Sequence, residues 1–294
     1  MIRLFAILAG FVFATVVMIS FFTGFYTWAT EDKVLSAEYE FYEHPQQIGF
    51  AQDGILGRWD NAQLQRGYKV YKEVCAACHS LKYVAFRDLA ALGYTEDEVK
   101  ALAAEWQVPG VDQATGEAIL VPGKPQDYFP EVYPNNVAAA AANNNAIPPD
   151  LSLMTKARHD GTAYVASLLA GYGDYRKHEK NGKRLVDEFP EFETPTGLYF
   201  NKYFPNLNIA MAPPLTATGQ VTYDDGTEAT IGQMSTDVAA FMAWTAEPKM
   251  QQRKQTGVWF IGFLIFATIL AYLAYRNIWA GLKTQTPVRR DTDE

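Results

Sequence analysis

The chain has two cysteines, and both fall in Cys75-Ala76-Ala77-Cys78-His79. In C-x-x-C-H the two thiols add to the vinyl groups of a haem and the neighbouring imidazole becomes an axial iron ligand. A thioredoxin-like pair has no need of His79, and a zinc site would want further cysteine or histidine at ligand spacing. The pattern therefore predicts one covalent haem c, held by Cys75 and Cys78 and ligated by His79. No disulfide is then available, and the haem is the chain's own staple.

Two charge-free apolar runs bracket the sequence, Leu4 to Trp28 and Gly257 to Tyr275. A spanning helix needs about 20 residues, so both are long enough to cross a bilayer. Trp259, Tyr272, Tyr275 and Trp279 sit at the ends of the second run like interfacial anchors, and Arg276, Lys283, Arg289 and Arg290 follow. That cationic flank places the C-terminal tail on the cytoplasmic side. The first run reads as a second anchor or as a signal-like segment: it is longer than a signal's usual apolar region, and Thr27-Trp28-Ala29 is a weak cleavage site. The expected division is an N-terminal segment over 1–30, a periplasmic haem domain over 31–254, a transmembrane helix over 255–280 and a cytoplasmic tail over 281–294.

The formal charge of the whole chain is −8. Five basic and three acidic residues lie outside 31–254, leaving 20 basic against 30 acidic side chains within it. Such a domain is a poor partner for nucleic acid or anionic surfaces and a good one for a basic protein. Its acids cluster at Glu96-Asp97-Glu98, at Asp187-Glu188 with Glu191 and Glu193, and at Asp224-Asp225 with Glu228.

Helical spacing of Leu64, Tyr68, Tyr71 and Cys75 behind a cap at Asp60 predicts a helix that delivers the haem thiols at its C-terminal end. Thr95 and Glu98 form a capping box ahead of Val99, Leu102, Ala103 and Trp106. From Val108 to Pro149 the Pro, Gly and Asn content predicts a long ordered loop, broken by a short helix near Ala138 to Ala142. A helix fits Gly161 to Ala170, a hairpin fits the residues flanking Asp225-Gly226, and a helix capped by Ser235 or Thr236 runs to Glu247-Pro248.

An electron carrier needs a sixth iron ligand. The side chains available are Met18, Met154, Met211, Met234, Met242, Met250, His44, His159 and His178. Met18 and Met250 belong to or border the membrane runs, Met242 sits in a helical stripe, and His159 and His178 read as solvated surface. Met211 lies in an apolar loop stiffened by Pro213-Pro214, suited to holding a thioether, although a single methionine is as readily core filler.

Arg66-Gly67 through His79-Ser80, Gly93 to Glu98, Asp127-Tyr128-Phe129-Pro130, Ala146 to Ser152, Lys156-Ala157-Arg158-His159, Gly197 to Phe200, Met211-Ala212-Pro213-Pro214, Asp224 to Thr227 and Trp244 to Pro248 stand in the order found in cytochrome c1. The chain resembles that family, the haem subunit of the ubiquinol:cytochrome c oxidoreductase (bc1) complex. The resemblance implies a mainly α, class I cytochrome c-like haem domain with long loop insertions and a small β-hairpin, on one or two membrane helices. It implies Met211 as sixth ligand, Arg158 and Tyr164 beside the haem propionates, and the Pro149 carbonyl on the free nitrogen of His79. It also implies a dimeric complex in a bacterial inner membrane, with cytochrome b and the Rieske iron-sulfur protein as neighbours and a cytochrome c as acceptor. The chain itself would be an electron carrier within that enzyme. A membrane-anchored cytochrome shuttle, or the haem subunit of another respiratory enzyme, would have no reason to carry the Asn/Pro-rich insertion and Pro148-Pro149-Asp150-Leu151-Ser152. A peroxidase would leave one iron position open.

Overall fold

The computed structural model describes residues 2–30 and 35–283; the tail that holds Arg289 and Arg290 lies outside them. Nine α-helices are described: α1 Ile2–Thr30, α2 Ala37–Phe41, α3 Asn61–Glu73, α4 Glu96–Ala104, α5 Asn136–Ala142, α6 Gly161–Ala170, α7 Leu185–Glu188, α8 Ile231–Ala246 and α9 Met250–Lys283. Three antiparallel strand pairs accompany them: β1 Gln107–Val111 with β2 Ala118–Pro122, β3 Glu179–Lys180 with β4 Lys183–Arg184, and β5 Tyr199–Phe200 with β6 Asn208–Ile209. The architecture is mainly α, as expected.

The two ends are the apolar helices. α1 has a mean hydropathy of 2.5 and α9 of 2.2 over their most apolar stretches, and neither stretch buries a residue within the protein. At 1.5 Å per residue each exceeds the roughly 30 Å of a hydrocarbon core. An apolar helix with no protein against it satisfies its own backbone and presents only side chains, which a bilayer tolerates.

Between them α8 is the axis of the haem domain, with α3 and α6 packed against it. α3 starts where Asp60 Oδ1 accepts from the backbone N–H groups of Ala62 and Gln63, and its buried face is Leu64, Tyr68 and Tyr71. Gly67 lets the α3 and α8 backbones meet: a Cβ there would lie 2.1 Å from the Asp237 carbonyl oxygen. One residue earlier, Arg66 donates to both Asp237 and Asp225, and Asp237 is fully buried. Tyr68, Tyr71, Phe86, Trp106, Phe129 and Phe241 fill the space around this crossing, with Phe86 and Phe129 centroids only 4.5 Å apart.

Several sequence expectations hold and several shift. Thr95 and Glu98 form the reciprocal capping box, and α6 occupies Gly161–Ala170 with Gly171 as its C-cap. The stretch after Val108 is less irregular than expected, because β1 and β2 pair across a tight turn. Asp112 Oδ1 accepts from Ala114 and Thr115, Gly116 takes φ +76°, and Gly110 leaves room for Val121. Pro109 is tolerated because a two-stranded ribbon leaves edge positions that need no donor. No strands flank Asp225-Gly226. There Val221 and Tyr223 point into the core and the acids turn to Arg66 and Lys69, so side-chain anchoring replaces a ladder. α8 starts five residues earlier than expected: Thr230 is the cap, and Ser235 is a buried helical residue whose hydroxyl donates to the Ile231 carbonyl. His178 is not solvated surface but sits in a small second core with Phe41 and Phe200. Its charged neighbour Lys180 turns away to donate to the Glu40 and Tyr42 carbonyls.

Candidate haem site

α3 ends at Glu73, and Cys75–Ala77 continues as one turn of 3-10 helix. Cys78 N and His79 N both donate to the Cys75 carbonyl, at 3.1 and 2.9 Å, so a single turn presents both thiols and the imidazole. Cys78 is exposed and Cys75 partly buried. Burial, with the neighbouring Cys78 second, pushes the Cys75 thiol up to about 12.

His79 is held from two directions. Its Nδ1 lies 2.7 Å from the Pro149 carbonyl, which can only accept, so Nδ1 carries the proton and Nε2 keeps its lone pair. The Tyr71 hydroxyl donates to the His79 carbonyl at 3.0 Å, from a ring fixed by Trp106, Phe129 and Phe241. Burial lowers the imidazole pKa, against the opposing pull of the Pro149 bond and Asp150, which favours the neutral form that binds metal.

A strap secures Pro149. Leu151 N donates to the Ser80 carbonyl, and Asp150 Oδ2 accepts from the Ser80 hydroxyl and Lys82 N. Asp150 Oδ1 accepts from Ser152 N, and the Ser152 hydroxyl in turn accepts from Tyr83 N. Asp150 thus stitches the Pro-Pro-Asp-Leu-Ser segment to the residues just after the haem motif.

Met211 packs on the edge of the main core and remains partly exposed. Its loop is anchored by β6 against β5, by the buried Leu215, and by the Tyr172 hydroxyl, which donates to the Met211 carbonyl at 3.0 Å. Burial raises the Tyr172 phenol well above its usual range, so it stays a donor. Met234 and Met242 are buried in α8, and His178 Nε2 is committed to the Phe41 carbonyl at 3.0 Å. Met154 is the other partly buried methionine at the core edge, but it follows the strap already tied to His79 and Ser80.

Tyr164 is buried on α6, with its phenol pKa raised by burial and opposed by the charge of the nearby Arg158. Arg158 itself is exposed, with one nitrogen donating to the Ala157 carbonyl. Tyr71, Tyr172 and Asp150 were not singled out from sequence. Tyr71 reads in the sequence as part of an apolar stripe, and only the Pro-Pro-Asp run hints at Asp150.

These residues fit a haem c: two thiols on one turn, an imidazole whose Nε2 is unengaged among the described residues, and, packed against the core, partly uncovered apolar side chains that include Val74 and Met211. A C-x-x-C-H turn on a helical domain that ends in a membrane-length helix is the arrangement expected of a membrane-anchored c-type cytochrome.

The sequence profile of the Cytochrome C1 family matches residues 50–282. Cytochrome c1 of Rhodospirillum rubrum is 43% identical over 233 residues, covering 78% of this chain and 85% of the relative. The mitochondrial heme protein cytochrome c1-2 of Solanum tuberosum is 44% identical over 232 residues, covering 79% and 84%. Cytochrome b/c1 of Bradyrhizobium diazoefficiens is 44% identical over 236 residues, 77% of this chain, and the chain spans 34% of that longer protein. The chain belongs to the cytochrome c1 family. Members of this family carry covalently bound haem c and serve electron transfer as the haem subunit of the bc1 complex.

Proposed function

We propose that Cys75 and Cys78 would hold the haem, that His79 Nε2 and the Met211 thioether would ligate its iron, and that the carrier takes electrons from a Rieske iron-sulfur protein and gives them to a basic cytochrome c. The haem supplies a one-electron couple; the rest falls to the chain. Pro149 and Tyr71 fix the ring and backbone of His79, Tyr172 and the two prolines stiffen the Met211 loop, and Arg158 offers a guanidinium for propionate charge. Held this stiffly, His79 and Met211 would leave a haem iron no open position for small molecules and would limit rearrangement when the haem changes oxidation state. The observation that carries this reading is the clasp of His79 to Pro149 beside a C-x-x-C-H turn, on a domain continuous with a membrane-length helix.

Arg3 in the first turn of α1, with Arg276 and Lys283 in the last turns of α9 and Arg289 and Arg290 beyond them in the sequence, favours both termini in the cytoplasm and the acidic domain outside a bacterial inner membrane. If α1 is instead a removable leader, N-terminal sequencing of the mature subunit starts near Thr30. Cytochrome b is the expected neighbour of the membrane helices, in a dimeric complex acting as quinol:cytochrome c reductase. Isolation of the complex tests the assignment. Cytochrome b and a Rieske protein should accompany this chain, quinol should reduce its haem, and added cytochrome c should reoxidise it. A haem that cytochrome c oxidises but quinol cannot reduce in that preparation would contradict the proposed path.

A further inference from the structure

Where the haem domain meets α9 there is a cavity of about 250 Å³, lined among others by Gln52, Trp59, Lys156, Glu247, Arg253 and Lys254. Three cations face one carboxylate. Glu247 is paired with both Lys156 and Arg253, and hydrogen bonding from Arg253 comes first among the causes that lower its pKa. Lys254 Nζ is bound by neutral partners, the Gln52 and Gly54 carbonyls, each at 2.6 Å, so its charge has no counterion there. Two of its three donors and one of Arg253's five are used in these contacts.

The unmet polar groups have the same sign. Gln52 Nε2 and Trp59 Nε1 are buried without a hydrogen-bond partner among the described residues, and Gln52 as a residue is 7% exposed. Both are N–H donors on residues that line the cavity, and with three cations against one carboxylate the lining carries surplus donors and net positive charge. A phosphate oxygen supplies what is missing.

The depth of the site selects the source. Lys254 is three residues ahead of Gly257, where the apolar run of α9 begins, which is about 5 Å along a helix axis. The polar layer of a bilayer is roughly 5 to 7 Å thick on each side of its hydrocarbon core. The cavity therefore opens at the level of lipid headgroups, and its volume suits a phosphate with part of a headgroup rather than a larger ligand. We propose that this cavity binds the phosphate of an anionic phospholipid from the surrounding bilayer. The proposal rests on the reading that α9 crosses the membrane with the haem domain at its surface. Bound there, the lipid would brace the junction between domain and anchor, because Gln52 and Trp59 belong to the domain and Arg253 and Lys254 to α9.

The holo full-length chain, delipidated in a neutral detergent, can be titrated calorimetrically with short-chain phosphatidylglycerol, phosphatidylcholine of the same chain length, and inorganic phosphate. Phosphatidylglycerol should bind saturably at one site, at least tenfold more tightly than either alternative. Lys156→Gln and Lys254→Gln should each weaken it about tenfold. Lys156 reaches the site from an exposed position, so its variant reports on binding even if loss of Lys254 disturbs the 50–58 loop. Equal affinity for the two lipids, inorganic phosphate binding as tightly as the lipid, or unchanged binding by the Lys156 variant would each overturn the proposal. Vesicle flotation separates the two readings. A chain that floats without selective binding leaves the membrane assignment standing and removes the lipid site; a chain that does not float removes both.

Discussion

Replacing Gly67 by alanine sets two well-defined effects against each other. Alanine in a helix interior gains about 1 kcal/mol over glycine. Against that, the new Cβ meets the Asp237 carbonyl oxygen at 2.1 Å and Asp237 C and Phe241 Cβ at 2.7 Å, roughly 1 Å or more inside ordinary contact. The first obstacle is backbone and cannot rotate away, so α3 and α8 must part. Overpacking of a rigid core costs about 1 to 3 kcal/mol, and here the upper end applies. Parting the helices also stretches the Arg66 bonds to Asp237, at 2.9 and 3.4 Å, and Asp237 is a buried carboxylate that cannot lose its partner cheaply. The net loss is about 2 kcal/mol. With a urea dependence of about 1 to 3 kcal/mol per molar, the midpoint should fall by roughly 1 M. The assay is urea unfolding of the full chain in detergent, beside Gly232→Ala as control. Gly232 lies in the first turn of α8 with nothing within 4 Å of a Cβ, and its variant should be neutral or slightly stabilised. Gly67→Ala unfolding at the wild-type midpoint or above would refute this account of the helix crossing. The haem turn begins two residues beyond the end of α3, so the displacement should also reach the iron.

Met211→Leu should keep the haem on the chain and lower its potential by something on the order of a few hundred millivolts, because axial ligand choice spans about 0.8 V; an unchanged potential by redox titration would return Met211 to core packing. Tyr71→Phe keeps the ring but removes the bond to the His79 carbonyl, and should leave the haem more easily displaced by added imidazole, as followed by its absorption spectrum. Asp225 is held down to about 2 by the Thr227 backbone N–H and then by Arg66. A depressed carboxyl contributes its stability above the ordinary value near 3.8 and loses it as pH falls through about 2, so the stability gap between wild type and Asp225→Asn should close across that window in acid unfolding. Reduction of a basic cytochrome c should slow steeply between about 0.01 and 0.1 M salt. Glu191→Gln with Glu193→Gln should flatten that slope more than Asp224→Asn, since Asp224 is already paired with Lys69.

What could be read from sequence was what depends on local chemistry. Asp60, Thr95 and Gly171 cap or stop helices through their own side chain or missing side chain, and each does so at its expected place. The boundary of α8 was misplaced because Ser235 and Thr230 are both competent caps, and only burial of Ser235 in the tertiary core decides between them. The hairpin β1–β2 was hidden by Pro109 and Gly110, which argue against a strand unless the ribbon has just two strands. Asp225-Gly226 carried a hairpin signal that long-range pairing with Arg66 overrode. His178 looked solvated because its neighbours in sequence are charged, whereas its neighbours in space are Phe41 and Phe200. In the candidate haem site the motif residues stand out in the sequence, since thioether and iron chemistry dictate their spacing. Tyr71 and Tyr172 do not, because a hydroxyl reaching a backbone carbonyl 8 or 39 residues away leaves no trace in periodicity.

Covalent attachment of one haem at Cys75 and Cys78 is measured most directly by haem staining of the denatured chain on a gel. Wild type should retain its haem through denaturation, Cys78→Ala should stain weakly or not at all, and the Cys75→Ala, Cys78→Ala double variant should show none. Full staining in the double variant would contradict the account.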